Sequence, residues 1–401
     1  MSIRHVQLKD LGRIVTGKTP STKRSDYYGG EMPFLTPSDD MTGKYVTTTA
    51  RTLSCAGVHA VEKCLLPAGA VCMSCIGSDL GKCVVTRDSL VTNQQINSVI
   101  PDLSIVDRDY LYYSLLPLGK RLNVLAKTST AVPIVNKSTF SQCTIDLPSL
   151  PIQKNIAAIL NAFDAKIALN TRTNGYLYEC CTAKMIDIVS SSDRTMTVGE
   201  CCESIYSGGT PSTKKAAYWN GNLPWLSSGE TRCRFIIDTE KTITELGVAE
   251  SSTKLAKAGD VVMASAGQGF TRGQTSMLFF DTYVNQSVVV MRPKRDYGAY
   301  LLLMLAAQYD NLRAWSDSTS TRGSMSGKLL RQFELPYFDV EQAKELTAFT
   351  APMFAMIENN MRESKALAQT RDALLPKLMS GEIDVSEVEL PKQPNSHLRE
   401  R

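Results

Sequence analysis

Residues 12–19 read GRIVTGKT. The spacing G-x-x-x-x-G-K-T is that of a phosphate-binding loop, in which backbone amides and the lysine hold phosphates and the threonine hydroxyl meets Mg²⁺. Gly12, Gly17, Lys18 and Thr19 would carry that chemistry. Such a loop also needs a buried strand before it and a helix N-terminus after it. Here HVQLKDL is a weak strand, and TPSTKRSDYYGG is polar, β-branched and closed by Gly-Gly. Other chemistry-bearing groups are sparse. Cys72 and Cys75 form a single C-x-x-C with no second pair or nearby His to complete a zinc site, and they read as small buried hydrophobes. His5, His59 and His397 are scattered and form no triad or metal cluster. Gly267 and Gly269 are followed by Arg272 where a dinucleotide fingerprint needs glycine, and the Asn-Pro-Pro-aromatic motif of amino-methyltransferases is missing.

The elements around GRIVTGKT are written twice. GKTPSTKRSDYYGGEMPFLTPSD (17–39) aligns without a gap with GGTPSTKKAAYWNGNLPWLSSGE (208–230), and ten of those positions are identical. LPAGAVCMSCIG (66–77) matches AKAGDVVMASAG (256–267), TNQQINSVIP (92–101) matches VNQSVVVMRP (284–293), and TIDLPSLPIQ (144–153) matches QFELPYFDVEQ (332–342). A period this long means a domain duplication, not a solenoid. At the same offset Gly12 faces Glu203 and Lys18 faces Gly209. The second copy keeps the turn and loses the first glycine and the lysine, which argues against nucleotide binding.

Each half closes on a long helical pattern. In the first, Ile156, Leu160, Phe163, Ile167, Asn170, Asn174, Leu177, Cys181, Lys184 and Ile188 recur at alternating steps of four and three, the seam of a coiled coil. In the second, Leu346, Phe349, Met353, Met356, Asn360, Glu363, Leu367, Thr370 and Leu374 do the same. Asn170 and Asn360 are equivalent, and a buried Asn on a seam sets register. Pro352 is expected to bend the second helix near its start or to delay it, with Pro376 and Gly381 marking its end. Short β-like runs (70–74, 260–265, 287–293) alternate with Gly- and Ser-rich turns, and one amphipathic helix per half is expected near 107–125 and 296–315. The expected divisions are 1–151, a helix at 152–190, 191–338, a helix at 339–384, and a disordered polar tail at 385–401. The fold class is α/β (α+β), as a tandem duplication in which two globules alternate with two long helices that pair as an antiparallel, pseudo-twofold coiled coil.

Composition agrees with a water-soluble chain of two or three domains: 401 residues, 43% hydrophobic, 21% charged. The N-terminus lacks an apolar signal core, and an odd count of eleven cysteines points to reduced thiols in a cytoplasm. The net charge of +4 is uneven. Lys plus Arg exceeds Asp plus Glu by 16 to 12 in residues 1–151 and by 16 to 14 in 191–338, whereas 339–401 carries 8 against 11.

The tandem layout and the motifs GKTPSTKRSDYYGGEMPFLTPSD, GGTPSTKKAAYWNGNLPWLSSGE, LPSLPIQKNIAAILNAFDAKIALNTRTN and TRDALLPKLMSGEIDV resemble the specificity subunit of type I restriction–modification systems, over residues 1 to about 385. The resemblance implies a non-catalytic, sequence-specific DNA-recognition subunit. Its two globules would be target recognition domains, each reading one half of a bipartite, asymmetric site in double-stranded DNA. The helices would dock two methyltransferase subunits, and two restriction subunits would join. S-adenosylmethionine, ATP and Mg²⁺ would bind those partners, leaving this chain without a cofactor or metal of its own. Two linked readers gain affinity through effective concentration. The rival readings are a P-loop enzyme or self-contained methyltransferase, and a coiled-coil interaction protein that binds no DNA.

Phosphate contacts position a protein on DNA and base contacts specify sequence. Near the repeated turn the basic pair Lys23 and Arg24 recurs as Lys214 and Lys215, and these residues, with Lys18 in the first copy alone, are candidates for the first task. Diverging positions are candidates for the second: Ser78 and Lys82 against Gln268 and Arg272, and Lys127, Thr130 and Lys137 against Ser320, Arg322 and Ser324. Arg232 and Arg234 are further candidates with no basic counterpart expected in the first half. Tyr27, Tyr28, Tyr218 and Trp219 are read as core.

Overall fold

The computed structural model describes residues 3–127, 134–189, 194–266, 271–319 and 324–388. The chain divides into two compact units. One comprises Met1–Ile167 with Ala366–Arg401, and the other Ala168–Lys365. Each unit holds one globule and a stretch of both long helices.

In the first globule, strands Gly12–Thr16, Ile96–Pro101, Val71–Ser74 and Cys83–Val85 lie side by side in that order, all antiparallel. Period-two alternation decides what each face covers. Val71 and Met73 pack with Tyr110, Leu111 and Leu115 of the helix Arg108–Lys127, while Cys72 between them packs with Val15, Leu35 and Leu66 on the other side. A second sheet, ordered Thr52–Leu53, Tyr28–Leu35, Leu90–Thr92 and Leu65–Leu66, closes that side. Strand Arg4–Gln7 pairs with Thr144–Leu147 and ties the start of the globule to its end.

The second globule repeats the plan. Cys202–Ser207, Val288–Pro293, Val261–Ala264, Thr275–Leu278 and Phe235–Ile236 form one sheet, and Lys241–Ile243, Trp219–Leu226, Thr282–Val284 and Lys254–Ala256 the other. The copied strands Tyr28–Leu35 and Trp219–Leu226 share one burial pattern residue by residue. Tyr110 Oη donates to the Asp146 carbonyl at 2.6 Å, and Tyr300, 190 residues on, donates to the carbonyl of Pro336. The helix expected near 107–125 is Arg108–Lys127, whereas that near 296–315 is broken into Gly298–Ala307 and Tyr309–Thr319.

The two long helices are Leu150–Ile188 and Val340–Ser380, of 39 and 41 residues. They pack antiparallel within each unit. In the first, Asp164 meets Arg371, and Asn155 donates to the Val385 carbonyl at 2.9 Å. In the second, Lys184 meets Glu345 at 2.7 Å, Cys181 meets Met353 at 3.4 Å, and Asn170 reaches the Asn360 carbonyl, Glu363 and Ser364. Asn360 in turn donates to Asn174 at 2.8 Å. Asn174 precedes Ser364 by the same spacing that separates Asn170 from Asn360, so the contact is reciprocal.

Along the expected seam Ile156, Leu160, Asn170, Cys181 and Leu346 are buried, and Phe163, Ile167, Leu177, Phe349, Met353, Asn360, Leu367 and Leu374 are half-buried. Met356 is a correction: it is 50% exposed, and Ile357 beside it is 1% exposed. A helix of 3.6 residues per turn drifts about 20° per heptad against a strict 3.5 repeat, which moves the buried row by one residue. The globule also covers part of this helix, because Phe354 stacks edge-on against Phe235 at 5.0 Å, which widens the buried stripe. Pro352 does not delay the helix, which begins twelve residues earlier at Val340. Gly381, at φ +76°, follows its last residue in the left-handed conformation of a helix stop. The tail does not begin at residue 385: Val385 is 1% exposed and packs with Ile156, Leu378 and Met379. Residues 389–401 lie outside the described residues.

Candidate nucleic-acid interface

GRIVTGKT folds as a strand, Gly12–Thr16, running into a turn. The chain then passes through the 3-10 turn Ser25–Tyr27 into another strand, so there is no helix N-terminus to meet a phosphate. The glycine that recurs serves close packing. A Cβ on Gly17 would lie 2.2 Å from the Thr92 and Asn93 carbonyl oxygens, and one on Gly208 would lie 2.0 Å from that of Val284. Aromatics then hold the turn: Tyr28 Oη donates to the Pro20 carbonyl at 2.7 Å, and Trp219 Nε1 to that of Ser212 at 3.2 Å. Thr19 donates to Gln94 at 2.7 Å, and Thr210 makes the same bond to Gln286.

This turn sits at one end of the sheet in each globule, beside the segments singled out for divergence. In the first unit Asn97 is the hub. It accepts from Thr16 Oγ1 at 2.6 Å and donates to Cys75 Sγ at 3.2 Å and the Val135 carbonyl at 3.1 Å. The loop after Cys75, the segment leading to Lys137 and the turn bearing Lys18 therefore meet. Lys18 and Lys137 both act on the Cys64 thiol there: burial pushes it up, and the two ammonium groups pull it partway back. Burial likewise pushes Cys72 up to about 12 and Cys75 up to about 11, so the C-x-x-C thiols are inert core. In the second unit Met325 N donates to the Ser265 carbonyl at 2.8 Å, which sets the segment from Ser324 beside the strand that leads to residues 267–272.

The structure sorts the candidates. Lys18, Lys23, Lys137, Lys214 and Arg232 are exposed, and their side chains make no hydrogen bond or ion pair with another described residue. Ser78 and Ser324 are exposed too. Others are held by the protein. Arg24 pairs with Asp26 at 2.7 Å over the Tyr27 ring, Lys82 with Asp79 at 2.6 Å, and Lys215 Nζ donates to Tyr218 Oη at 2.6 Å and to Glu250 at 3.1 Å. Arg272 is 8% exposed and meets Asp317 at 2.7 Å. Lys127 ends its helix, and nothing is described of its side chain. Thr130, Gln268, Ser320 and Arg322 lie outside the described residues.

Arg234 requires a correction. Its carbonyl accepts from Met277 N at 2.9 Å, as that of Lys44 accepts from Val85 N at 2.7 Å. Lys44 is therefore its basic counterpart in the first half, one residue off the register used to align the sequences. Arg234 Nη1 donates to Gln274 and to the Thr275 carbonyl, at 3.2 and 3.3 Å. Sequence reasoning also missed Asn97 as the hub. An Asn in the run TNQQINSVIP, where the copy has Val289, was the available signal.

Two stretches of the chain, residues 3–177 and 193–358, match the family model described as the type I restriction modification DNA specificity domain. The chain belongs to this family. The MjaIX specificity subunit of Methanocaldococcus jannaschii is 25% identical over 95% of this chain and 94% of its own length. The HindI specificity subunit of Haemophilus influenzae is 39% identical over 38% of this chain and 34% of its own. The crystal structure of a type I restriction–modification S subunit from M. genitalium shares the fold, with a TM-score of 0.56 and 14% identity over 96% of this chain and 97% of that one. Two DNA specificity domains in one chain thus account for the duplication. Among the described residues no helix is long and apolar enough to cross a membrane, and none of their His, Cys, Asp and Glu side chains form a group of three that could hold a metal.

Proposed function

We propose that this chain is the non-catalytic DNA-recognition subunit of a type I restriction–modification complex and that each globule reads one half of a bipartite, asymmetric site. The observation that carries the reading is the sheet end common to both DNA specificity domains. There exposed cations without partners among the described residues, Lys18, Lys23 and Lys137 in one and Lys214 in the other, flank the segments in which the copies diverge. Unpaired lysines on turns suit phosphates, and diverging loops between them suit two different half-sites. The antiparallel helices dock two methyltransferase subunits, and two restriction subunits join them in the cytoplasm. S-adenosylmethionine, ATP and Mg²⁺ belong to those subunits.

Sequencing of modified bases in the host, with and without this gene, tests the reading. A two-part methylated motif that disappears with the gene supports it; an unchanged methylome sinks it and leaves the coiled-coil interaction protein. At the interface, Lys18→Ala or Lys23→Ala weakens DNA binding across sequences and lowers the salt slope by about 1 for each phosphate no longer neutralised. Weakening confined to one sequence would assign that lysine to a base.

A further inference from the structure

In each unit the globule sits on its stretch of the helix pair, and the seats are built from opposite chemistry. In the first unit Lys44 is 7% exposed and Asp109 14%, with Nζ and Oδ1 3.0 Å apart. Asn161 of the first long helix accepts from Lys44 and from Tyr113 Oη, and donates to Asp109 at 2.8 Å. Asp164, one turn on, accepts from Tyr113 and from Arg371 of the second long helix. The Lys44 ammonium also lies over the Tyr113 ring, 4.8 Å from its centre. Every charged group in this buried chain has a partner of opposite sign.

Lys44 becomes Arg234, whose guanidinium turns to Gln274 and the Thr275 carbonyl, and the other positions 190 residues away are apolar. Asp109 becomes Ala299, Tyr113 becomes Leu303, Asn161 becomes Ala351, Asp164 becomes Phe354, and Arg371 matches Cys181. The reciprocal Asn170–Ser364 and Asn360–Asn174 contacts and the Tyr110 and Tyr300 bonds fix this register. Phe235, where the first half has Tyr45, stacks on Phe279 at 5.2 Å and meets Phe354 at 5.0 Å and Tyr178 at 6.2 Å. Ala299, Leu303, Phe354, Cys181 and Met185 complete one hydrophobic cluster with it.

We propose that these seats are a lock and key that admits each globule only to its own end of the helix pair. Placing the first globule on the apolar seat would bury Lys44 and Asp109 with Ala, Phe and Cys for neighbours and strip away their hydrogen bonds. Placing the second globule on the polar seat would press Phe235 and Leu303 against Asp164 and Arg371 and leave those charges without Tyr113 and Asn161's other partners. The matching residues on a globule are thus the surface that decides which helix pair can carry it, apart from what that globule reads on DNA.

Four full-length chains test this. The first is the wild type. In the second, residues 4–148 are replaced by a copy of 194–338. The third carries Asn161→Ala, Asp164→Phe and Arg371→Cys alone, and the fourth combines the graft with those three substitutions. Hydrogen exchange is read on the helix that packs on each sheet. The graft on the wild-type seat and the wild-type globule on the altered seat should each lose about tenfold or more in protection at that helix, and the combined chain should recover it. Equal protection of the graft on both seats overturns the proposal. So does failure of the graft on both, because the junctions and not the seat would then decide compatibility.

Discussion

Asp164 and Phe354 occupy one position of the repeat, and each anchors a globule to a helix pair by different physics. Around Asp164 the stabilisation comes from mutually compensating charges held out of water by Tyr112 and Tyr113, and it depends on every member being present. Around Phe354 it comes from aromatic and aliphatic area removed from water, and each group contributes nearly on its own. The shared backbone plan therefore does not dictate the chemistry of the joint. What a duplicated fold needs at that place is complementarity, and two unrelated sets of side chains provide it.

Several measurements bear on this contrast, the largest effect first. Asp109→Ala leaves the Lys44 ammonium buried beside Tyr113 without its counter-charge, at a cost of about 3–5 kcal/mol. Hydrogen exchange should show loss of protection in 71–74 and 108–118 and none in 261–264; an equal loss in both would break the comparison. Phe354→Ala opens a void in the other seat at a cost of about 3 kcal/mol, with the losses reversed and the effect the same at low and high salt. Acid should separate the units. Burial pushes the Asp109 carboxyl up, but hydrogen bonds from Arg108 and Asn161 and the charge of Lys44 outweigh it and hold it at about 2, against an ordinary 3.8. A depressed carboxyl stabilises the fold fully above its ordinary value and loses that contribution as pH falls toward the folded value. The first unit should thus lose up to about 2 kcal/mol between about pH 4 and pH 2. In Asp109→Asn that component of the acid transition should vanish. Smallest is the repeated turn. Tyr28→Phe removes the bond to Pro20 and Trp219→Phe that to Ser212, each worth about 1 kcal/mol in thermal melts.

Much of this organisation was legible in the residues. The duplication, the ends of both long helices to within two residues at three of four termini and four at the last, the helix on the first sheet and the equivalence of Asn170 and Asn360 follow from repeats, periodicity and stop signals that act locally. The misses have a common cause. Met356 was placed on the seam because a strict alternation of three and four ignores both the drift of a straight helix and the second partner that covers it. Arg234 was left without a counterpart because the loops before it differ by one residue, which only the strand hydrogen bonds reveal. The interface candidates were chosen by residue type, and type does not show whether a cation already has a partner. Arg272 and Lys215 do, whereas Lys18 and Lys214 have none among the described residues.

By itself the amino-acid sequence determined that the chain is a tandem repeat of mixed α/β globules with two long helices, and that GRIVTGKT opens a repeated turn. Those conclusions need only comparison along the chain and short-range rules of helix, strand and turn. Tertiary structure alone decided which charges are spent inside the protein and which face solvent. It also decided that Lys44, Asp109, Asn161, Asp164 and Arg371, distant in sequence, form one buried network. Burial and charge pairing are properties of side chains meeting across the fold, and no spacing within a segment encodes them.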